Sequence, residues 1–516
     1  MALIGRGAAA APSQLKLSLI GDPRTSIGIS WTTLGDSTGV VQYGRSSAYG
    51  QQQTAGAAQL VDGVGYVHEL VLSGLAPGTA YHYRVGDGTT FSEDTQFSTA
   101  PGDPCAAWRF VALGDDRTQF GEGGHAGVSK NFPSILEEAT AALPAFMINT
   151  GDLVHDGAVP EQWIDYLDTT DPVARRIPIL PALGNHDDDS VTGDGARYNG
   201  VFQLPRNEVT HTEDYYAVRY LNAVFAVLST QTYLDGTAAD RRTMAAQAAW
   251  LDEVLTEHAD ATWKIVAFHH PSVTGGGFTI AGYGIGHPGN EFGGNEALLP
   301  VLDRHHVDLV LVGHNHWYER FVPVRQSSEV PDEVMVAGDA SAGTVHITTG
   351  GAGAYTMEFD WIPFLDVCDG DVGGSRAVCS GAHHYVVVDI VANQLALTTW
   401  TTRCQNFNCD AQPAVIDTYQ IIKPAIPACQ PRPDAGAGAD GAADAAHKDR
   451  ATSDRPDAAT AIEASSGSDA WTVGGDNGGD VVQEGCHCAA APGVGTWALG
   501  TLMLLLLRRI GRRVRR

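Results

Sequence analysis

Positive charge is scarce in this sequence. Only 32 Lys and Arg residues oppose 60 Asp and Glu residues, and the formal net charge is −28 over 516 residues. Because nucleic-acid backbones are bound through basic patches, this balance argues against a nucleic-acid partner. The eight cysteines include no Cys-x-x-Cys pair, which argues against a zinc ribbon or a thioredoxin-like centre. The stretch from Met1 to Pro12 has no apolar run long enough for a convincing signal peptide, so we interpret residues 1–13 as the remnant of a leader.

The length predicts more than one domain, since 516 residues are too many for a single hydrophobic core. Residues 14–100 contain short alternating apolar runs separated by turn residues, which is typical of a β-sandwich. Residues 105–425 alternate apolar runs with helical patterns such as Phe132 to Leu143 and Thr243 to Thr256, which indicates an α/β domain. The six strands predicted in the first region are Leu15 to Leu19, Ile27 to Thr32, Val40 to Tyr43, Val67 to Leu72, Ala80 to Val85 and Thr95 to Thr99.

The C-terminal part of the chain has a different composition. Residues 431–485 consist mainly of Ala, Gly, Asp, Ser and Pro, which predicts a disordered acidic linker. Residues 486–516 begin with Cys486-His487-Cys488, continue with an apolar run from Ala489 to Leu507 and end in a cluster of arginines. An apolar run of roughly nineteen residues can just cross a bilayer, with the arginines on the cytoplasmic side. A buried helix is the alternative for the run, and a metal tract is the alternative to lipid attachment or processing at the cysteines.

Four of the remaining cysteines lie close together in pairs. Cys368 and Cys379, and Cys404 and Cys409, are near enough in sequence to close small disulfide loops, which would suit an exported protein. Spacing alone leaves other pairings open, and free buried thiols are the alternative.

Two histidines follow a short apolar run near residue 310. Val307 to Val312 is rich in Val and Leu, as expected for a buried strand, and Gly313-His314-Asn315-His316 comes directly after it. In α/β sheets the carboxyl end of a strand opens into the active-site loops. Two imidazoles placed there are typical of a metal site, although satisfied loop histidines are the alternative.

Four further apolar runs end in a residue able to bind a hard or borderline metal ion. They are Arg109 to Leu113 before Gly114-Asp115, Phe146 to Thr150 before Gly151-Asp152, Ile179 to Leu183 before Gly184-Asn185-His186-Asp187, and Ile265 to Phe268 before His269-His270. Each motif alone could be a turn or a helix cap. Five in order predict one metal centre assembled from strand ends.

This order of motifs resembles the calcineurin-like metallophosphoesterase superfamily. The segment His316-Trp317-Tyr318-Glu319-Arg320 and the Gly-rich segment Thr348 to Gly353 resemble the purple acid phosphatase branch more narrowly. Leu70 to Val85 resembles a fibronectin type III strand pair and the N-terminal domain of plant-type purple acid phosphatases. The resemblance covers about residues 14–425, and the C-terminus resembles the sorting tails of myxobacterial surface proteins. It implies a multidomain fold with a fibronectin III-like sandwich and an α/β two-sheet metallophosphoesterase sandwich.

The resemblance also implies a dinuclear centre of iron, manganese or zinc ions, with a role for each motif residue. Asp152 would bridge the two metals, because an anionic ligand with two oxygens can hold two cations close together. The first metal would be held by Asp115, Asp152 and His316, and the second by Asp152, Asn185, His269 and His314. His186 would bind phosphate or protonate the leaving oxygen. Asp187 would orient His186 or cap a turn.

The sequence departs from the family pattern at three places. Arg117 stands where many members have the histidine of Asp-x-His. His155 stands where purple acid phosphatases have a metal-binding tyrosine, so His155 is expected to be the fourth ligand of the first metal, with a surface loop histidine as the alternative. The phosphate-binding His-His pair of plant-type enzymes is replaced by Phe278-Thr279. Substrate contacts are therefore expected from Arg117, His270 and His287.

These features predict an exported bacterial enzyme at the cell surface, anchored or processed at its C-terminal tail. The expected reaction is metal-dependent hydrolysis of phosphate esters, with small phosphomonoesters as the expected substrates. The alternatives are a phosphodiesterase or nucleotidase and an inactive surface adhesion or scaffold protein. Because the superfamily's activities share the same metal ligands, the motifs leave the substrate open.

Overall fold

The computed structural model describes most of the chain up to residue 424. The described ranges are residues 11–118, 127–188, 195–231, 243–275, 278–280, 283–285, 294–330, 333–338, 340–356, 368, 375–405 and 409–424. The predicted linker, the predicted C-terminal tail, His287 and all but the end of the predicted leader lie outside these ranges. Within the described residues, no helix is both long and apolar enough to span a membrane.

The N-terminal region is a sandwich of two four-stranded sheets, as the sequence predicts. The strands of one sheet, in spatial order, are β1 (Ser13–Ser18), β2 (Ser26–Thr33), β6 (Gly65–Ser73) and β5 (Gln59–Val61). Those of the other are β4 (Gln51–Thr54), β3 (Val40–Gly44), β7 (Ala80–Gly86) and β8 (Thr95–Ser98). Alternate residues point into the space between the sheets, where Trp31 and Tyr83 are fully buried. The apolar alternation in the sequence is therefore the core of this domain.

The second region contains two larger sheets. One has six strands in the order β11 (Ile179–Pro181), β10 (Phe146–Asn149), β9 (Trp108–Leu113), β23 (His384–Val391), β24 (Gln394–Thr401) and β25 (Val415–Ile422). The other has seven in the order β12 (Tyr216–Tyr220), β13 (Ala223–Val227), β14 (Trp263–Ala267), β17 (Leu309–Val312), β21 (Val345–Thr349), β18 (Tyr318–Phe321) and β22 (Arg376–Ser380). Strands β9, β10 and β11 are parallel, and so are β13, β14, β17 and β21. Their carboxyl ends consequently meet at one edge of each sheet.

Helices and two small hairpins complete this region. The helices are α1 (Phe132–Thr140), α2 (Pro160–Ala174), α3 (Ala196–Val201), α4 (Met244–Glu257) and α5 (Asn295–His305). The hairpins are β15 (Phe278–Ile280) with β16 (Tyr283–Ile285), and β19 (Val324–Gln326) with β20 (Val334–Val336). Helix α4 begins where the hydroxyl of Thr243 accepts a hydrogen bond from the backbone N–H of Ala246. The two helices predicted from periodicity, α1 and α4, are confirmed.

The sandwich and the second region share one continuous apolar core. Polar contacts fix the junction: Asp171 in α2 accepts the backbone N–H of Leu15 at 2.9 Å, and the hydroxyl of Tyr83 donates to the carbonyl of Arg175 at 2.7 Å. A further bond of 2.9 Å runs from the amide of Gln14 to Asp168. The sandwich is thus bound to helix α2 through both burial and hydrogen bonds.

The disulfides inferred from spacing are present. Cys368 is bonded to Cys379, and Cys404 to Cys409. The first bond ties residue 368 to strand β22, at the edge of the seven-stranded sheet.

Candidate metal centre

The strand-end residues singled out in the sequence lie at the facing carboxyl edges of the two large sheets. Asp115 follows β9, Asp152 follows β10, and Asn185 follows β11. His269 follows β14, and His314 and His316 follow β17. Each sheet thus contributes about half of the cluster.

Three of these residues have strained backbones. Asp115, Asp152 and His314 have φ angles of 60°, 58° and 67°. Non-glycine residues rarely adopt this left-handed conformation, which costs of the order of 1–3 kcal/mol at each position. Strain of this kind persists where the surroundings over-determine it, and it concentrates at functional sites.

A lack of space for a side chain explains why glycine precedes Asp115 and His314. A Cβ on Gly114 would lie 2.0 Å from the hydroxyl of Thr150, and one on Gly313 would lie 2.5 Å from Oδ2 of Asp115. Neither position therefore accepts a side chain without movement of the site. The Gly-Asp and Gly-His pairs of the sequence are a packing requirement of the cluster.

One part of the cluster brings four potential ligands together, which we call the histidine side. The Nε2 atom of His269 lies 3.0 Å from Oδ1 of Asn185, 3.3 Å from Nδ1 of His314 and 3.2 Å from Oδ1 of Asp152. The opposite ring atom of His269, Nδ1, faces the carbonyl oxygen of Thr150 at 2.9 Å and must donate to it. In the neutral ring, Nε2 therefore carries a lone pair directed at two oxygens and a nitrogen.

Such an arrangement is unfavourable without a positive charge between the atoms. Burial alone lowers the pKa of His269, but the Asp152 carboxylate raises it to about 9 overall, so a proton supplies the charge. A divalent cation would satisfy the same lone pairs, since imidazole, amide and carboxylate groups are its usual ligands. The donor set of the histidine side therefore fits a divalent metal ion.

The remaining predicted ligands form a looser part of the cluster, which we call the aspartate side. Oδ1 of Asp115 lies 3.4 Å from Nε2 of His316, and the backbone N–H of His314 donates to Oδ2 of Asp115 at 2.9 Å. The Nδ1 atom of His316 faces the carbonyl oxygen of Tyr355 at 3.1 Å, which leaves Nε2 directed at Asp115.

Grouping by distance places Asp115 of the aspartate side close to Asp152 and His269 and leaves His316 apart. Among the described residues, two triplets have ligand atoms within 4.8 Å of one another: His269, His270 and His314, and Asp115, Asp152 and His269. Neither triplet includes His316 or His155. The tightest convergence of ligand atoms is thus centred on His269.

His155 is not brought into the cluster. Its side chain is exposed, and its Nδ1 atom lies 3.0 Å from the carbonyl oxygen of Thr118. The sequence predicts it as the fourth ligand of the first metal, and because the contact to Thr118 uses Nδ1 and leaves Nε2 available, that assignment stays a prediction. Its own carbonyl accepts a hydrogen bond of 2.6 Å from Nδ1 of His186.

Arg117 lies against the carboxylate of Asp152. Its Nε atom donates to Oδ2 of Asp152 at 2.8 Å, and its Nη1 atom donates to the carbonyl of Thr118 at 3.2 Å. Burial alone raises the pKa of Asp152, but His269 and Arg117 hold it well below its usual range. Arg117, which the sequence predicts to contact phosphate, thus has a guanidinium group whose Nε is already hydrogen-bonded to Asp152.

Asp187 organises the loop that carries Asp152. Its carboxylate accepts four backbone N–H groups, from Asp152 at 2.9 Å, Leu153 at 2.7 Å, Val154 at 3.0 Å and Gly184 at 2.8 Å. These contacts favour the turn-cap interpretation of Asp187 over contact with His186. The carboxylate ties the loop after β10 to the loop after β11.

His186 lies beside the cluster and is half-buried. Its backbone N–H donates to Oδ1 of Asp152 at 3.0 Å, while its Nδ1 donates to the carbonyl of His155 at 2.6 Å. Burial lowers the pKa of His186 below its ordinary value, although Asp152 opposes that shift. The hydrogen bond at Nδ1 therefore fixes the orientation of the ring, and Nε2 is the nitrogen available to a substrate.

The structure adds residues that sequence reasoning missed. The hydroxyl of Thr230 lies 2.8 Å from Nδ1 of His270 and accepts the backbone N–H of His270 at 3.1 Å. Gln231 donates to Asp188 at 3.2 Å. These residues follow β13, so the apolar run from Ala223 to Leu228 was the available signal. It ends in Ser-Thr-Gln and not in a usual metal ligand.

His270 is buried next to the histidine side. Its ring centre lies 4.4 Å from that of His314, and burial, with His269 beside it, lowers the pKa of His270 to about 3. The ring is therefore neutral near pH 7 and is oriented by Thr230. The predicted contact of His287 with substrate lies outside the described residues.

The Tyr-Glu-Arg part of the last motif braces the cluster. Tyr318 and Arg320 each bond to Oδ2 of Asp417 at 2.6 Å, which links the two large sheets. Glu319 accepts bonds of 2.8 Å from Thr274 and from Arg376. The motif after His316 thus holds the loop after β14 and the last strand in place.

Comparison with known proteins identifies two domains. Residues 12–99 match the profile of the purple acid phosphatase N-terminal domain, and residues 102–318 match that of the calcineurin-like phosphoesterases. Purple acid phosphatase 18 of Arabidopsis thaliana is 26% identical over 354 residues, which cover 66% of this chain and 71% of that protein. Probable inactive purple acid phosphatase 1 of the same plant is 26% identical over 346 residues, with 58% of this chain and 52% of that protein covered.

A solved structure agrees with these matches. The purple acid phosphatase isolated from yellow lupin (Lupinus luteus) seeds superposes with a TM-score of 0.64 at 19% identity, covering 80% of this chain and 74% of that one. At this identity the likeness shows the fold. With both family profiles, it confirms the fold class inferred from the motifs. The chain therefore has a purple acid phosphatase N-terminal domain followed by a calcineurin-like phosphoesterase domain, and it is a phosphoesterase hydrolase.

Proposed function

We propose that this protein hydrolyses small phosphomonoesters at a divalent metal centre built around Asp152. The observation that carries the proposal is the histidine side, where ligand atoms of Asn185, His269 and His314 lie 2.9–3.3 Å from one another. Asp115 and His316 are proposed to extend the centre toward a second ion. A bound divalent ion would supply positive charge opposite the phosphoryl oxygens and make a water molecule acidic near neutral pH.

His186 is proposed as the group that protonates the leaving oxygen. Its Nδ1 proton is held by the carbonyl of His155, so Nε2 is the atom that can carry a proton to substrate. Its pKa lies below the ordinary value because of burial, so a minor protonated fraction at neutral pH would have a strong tendency to give up its proton. Protonation is most needed where the departing alkoxide is most basic.

His270 is proposed as a phosphate contact. The hydroxyl oxygen of Thr230 accepts the backbone N–H of His270, so the hydroxyl proton is available for Nδ1 of the same residue. In that tautomer Nε2 carries the proton and can donate to a phosphoryl oxygen. Arg117 is proposed to add the charge of its guanidinium to the same pocket.

Export to the cell surface is proposed on two grounds. Two small disulfides are typical of proteins that fold outside the reducing cytosol. The C-terminal sequence from Cys486 onward has an apolar run and terminal arginines suited to anchoring or processing. Removing residues 486–516 should therefore release active enzyme into the medium, whereas activity that stays with the cells would contradict tethering by this segment.

The function is tested with purified protein, metal analysis and two chromogenic substrates. We expect bound divalent metal, loss of activity on chelation, recovery on addition of manganese or zinc, and faster hydrolysis of p-nitrophenyl phosphate than of bis(p-nitrophenyl) phosphate. Preference for the diester would favour the phosphodiesterase alternative. Bound metal without hydrolysis of phosphomonoesters, diesters or nucleotides would favour an inactive scaffold.

A further inference from the structure

The two oxygens of Asp152 have different partners. Oδ1 accepts the backbone N–H of His186 at 3.0 Å and faces Nε2 of His269 at 3.2 Å. Oδ2 accepts Nε of Arg117 at 2.8 Å. The carboxylate that the family pattern assigns to two cations therefore has a protein cation on one of its oxygens.

Arg117 is a buried residue of the site, and several contacts hold it in place. The residue is only 8% exposed, and its backbone N–H donates to the carbonyl of Asp152 at 3.2 Å. It also forms a β-bridge with Val128, and its Nη1 bonds to Thr118. Backbone and side chain together fix the guanidinium against Oδ2.

The aspartate side is the part of the centre that this cation affects. Its ligands, Asp115 and His316, are 3.4 Å apart, and His155 belongs to neither ligand triplet of the described residues. The histidine side has three ligand atoms closer to one another, and its oxygen of Asp152 is not the one held by Arg117. A cation entering the aspartate side would meet fewer converging ligands and an adjacent buried positive charge.

We propose that Arg117 is a resident cation that makes the centre unequal, so that one divalent ion binds tightly at the histidine side and a second binds only weakly at Asp115 and His316. This inference rests on the proposed function, because it concerns the metal centre of that reaction. Like charges repel strongly in a poorly screened interior, and a salt bridge to Oδ2 withdraws that oxygen from a second metal. Unlike a second metal ion, the guanidinium cannot be removed by a chelator.

The test is metal titration of the full chain after removal of bound metal. Calorimetry and equilibrium dialysis with manganese(II) should give one tight equivalent in the wild type and a second at least about 100-fold weaker. Arg117→Met removes the charge and keeps much of the side-chain length, and it should tighten the second equivalent at least about tenfold. Arg117→Lys retains a positive charge and serves as the matched control, with the inequality preserved.

Electron paramagnetic resonance gives an independent readout. With one equivalent of manganese(II), the wild type should show the spectrum of an isolated ion, and Arg117→Met with two equivalents should show exchange coupling between ions. Two equally tight equivalents in the wild type, or an Arg117→Met protein that still binds one, would overturn the inference and leave the proposed function standing. No bound divalent metal at all would overturn the proposed function itself.

A second variant covers the case in which Arg117→Met does not fold. His316→Ala alters the aspartate side alone, because His316 belongs to neither ligand triplet of the described residues, so the tight equivalent should persist with its affinity within about threefold of the wild type. Loss of the tight equivalent in this variant would mean that the first ion needs both sides, which contradicts the proposal.

Discussion

The two sides of Asp152 differ in what they present to an incoming ion. On the histidine side, two rings, an amide and a carboxylate make contacts of 2.9–3.3 Å, and their facing lone pairs create a demand for positive charge there. On the other oxygen, Arg117 already meets that demand at 2.8 Å. Ligand types that match a family motif therefore do not by themselves determine how many ions bind. We expect the charge already present around Asp152 to affect that number as well.

Removal of a ligand from the histidine side should have the largest effect. His269→Ala deletes the ring that contacts Asn185, His314 and Asp152, so the tight ion loses its central ligand. We expect kcat/KM to fall by more than about 1,000-fold, because a metal supplies several kcal/mol of transition-state stabilisation. Metal content and steady-state kinetics measure the effect.

A buried histidine elsewhere in the same sheet provides the control. His346 faces the hydroxyl of Ser272 at 3.1 Å and belongs to neither ligand triplet of the described residues. His346→Ala should lower the thermal midpoint without loss of the bound ion. Equal loss of metal from both variants would mean that general destabilisation, and not ligation, explains the result.

His186→Ala should separate chemistry from metal binding. Its contacts are to the carbonyl of His155 and, through its own backbone N–H, to Asp152, so the metal content should not change. Turnover of alkyl phosphates should fall about 100-fold, and that of p-nitrophenyl phosphate much less, because a good leaving group needs little protonation. Loss of metal, or an equal fall for both substrates, would exclude the proposed acid role.

Asp187→Asn should loosen the loop that carries Asp152 and the loop after β11. Asparagine would direct an NH₂ group at two of the four backbone N–H groups that the carboxylate now accepts. Metal affinity should fall about 10- to 100-fold, the usual range for residues that orient ligands. Titration of the purified variant measures this fall, with the neighbouring Asp188→Asn as the control. Unchanged affinity in Asp187→Asn would show that the loops hold without this carboxylate.

His155→Ala should have the smallest effect on the tight ion. The side chain is exposed and directed to the carbonyl of Thr118, so its removal should change affinity by no more than about twofold, as for most surface substitutions. The same titration would show a selective loss at the aspartate side if His155 turns to bind a second ion. The lack of a tyrosine at this position further predicts a colourless enzyme, which an absorption spectrum checks.

The positions of the candidate ligands at strand ends could be predicted because neighbouring residues in the sequence mark each position. Each ligand follows an apolar run, and the glycines before Asp115 and His314 are required because a Cβ at either position would lie only 2.0–2.5 Å from its neighbours. Strand β4 was missed because Gln51–Thr54 is polar and largely exposed, and β5 was missed because Gln59–Val61 is only three residues long and mostly exposed. Their pairing depends on neighbouring strands and not on an apolar pattern of their own.

The orientation of long side chains could not be predicted from the sequence. Arg117 and Asp152 are 35 residues apart, and neither motif predicts that the guanidinium donates a hydrogen bond to the carboxylate. His155 has suitable chemistry for a ligand, but its motif does not indicate that the loop would place Nδ1 against the carbonyl of Thr118. Thr230 has no metal-binding chemistry, and its role depends on where His270 lies. These features follow from tertiary packing.

The strand order has a consequence for biosynthesis. Strand β9, which carries Asp115, pairs with β10 on one side and, on the other, with β23 from the far end of the catalytic domain. The hydrogen bonds of Tyr318 and Arg320 also require Asp417, which lies in the last strand. A nascent chain therefore cannot complete the centre until nearly the whole catalytic domain has left the ribosome. We therefore expect metal to bind only after the chain has been synthesised to its last strand.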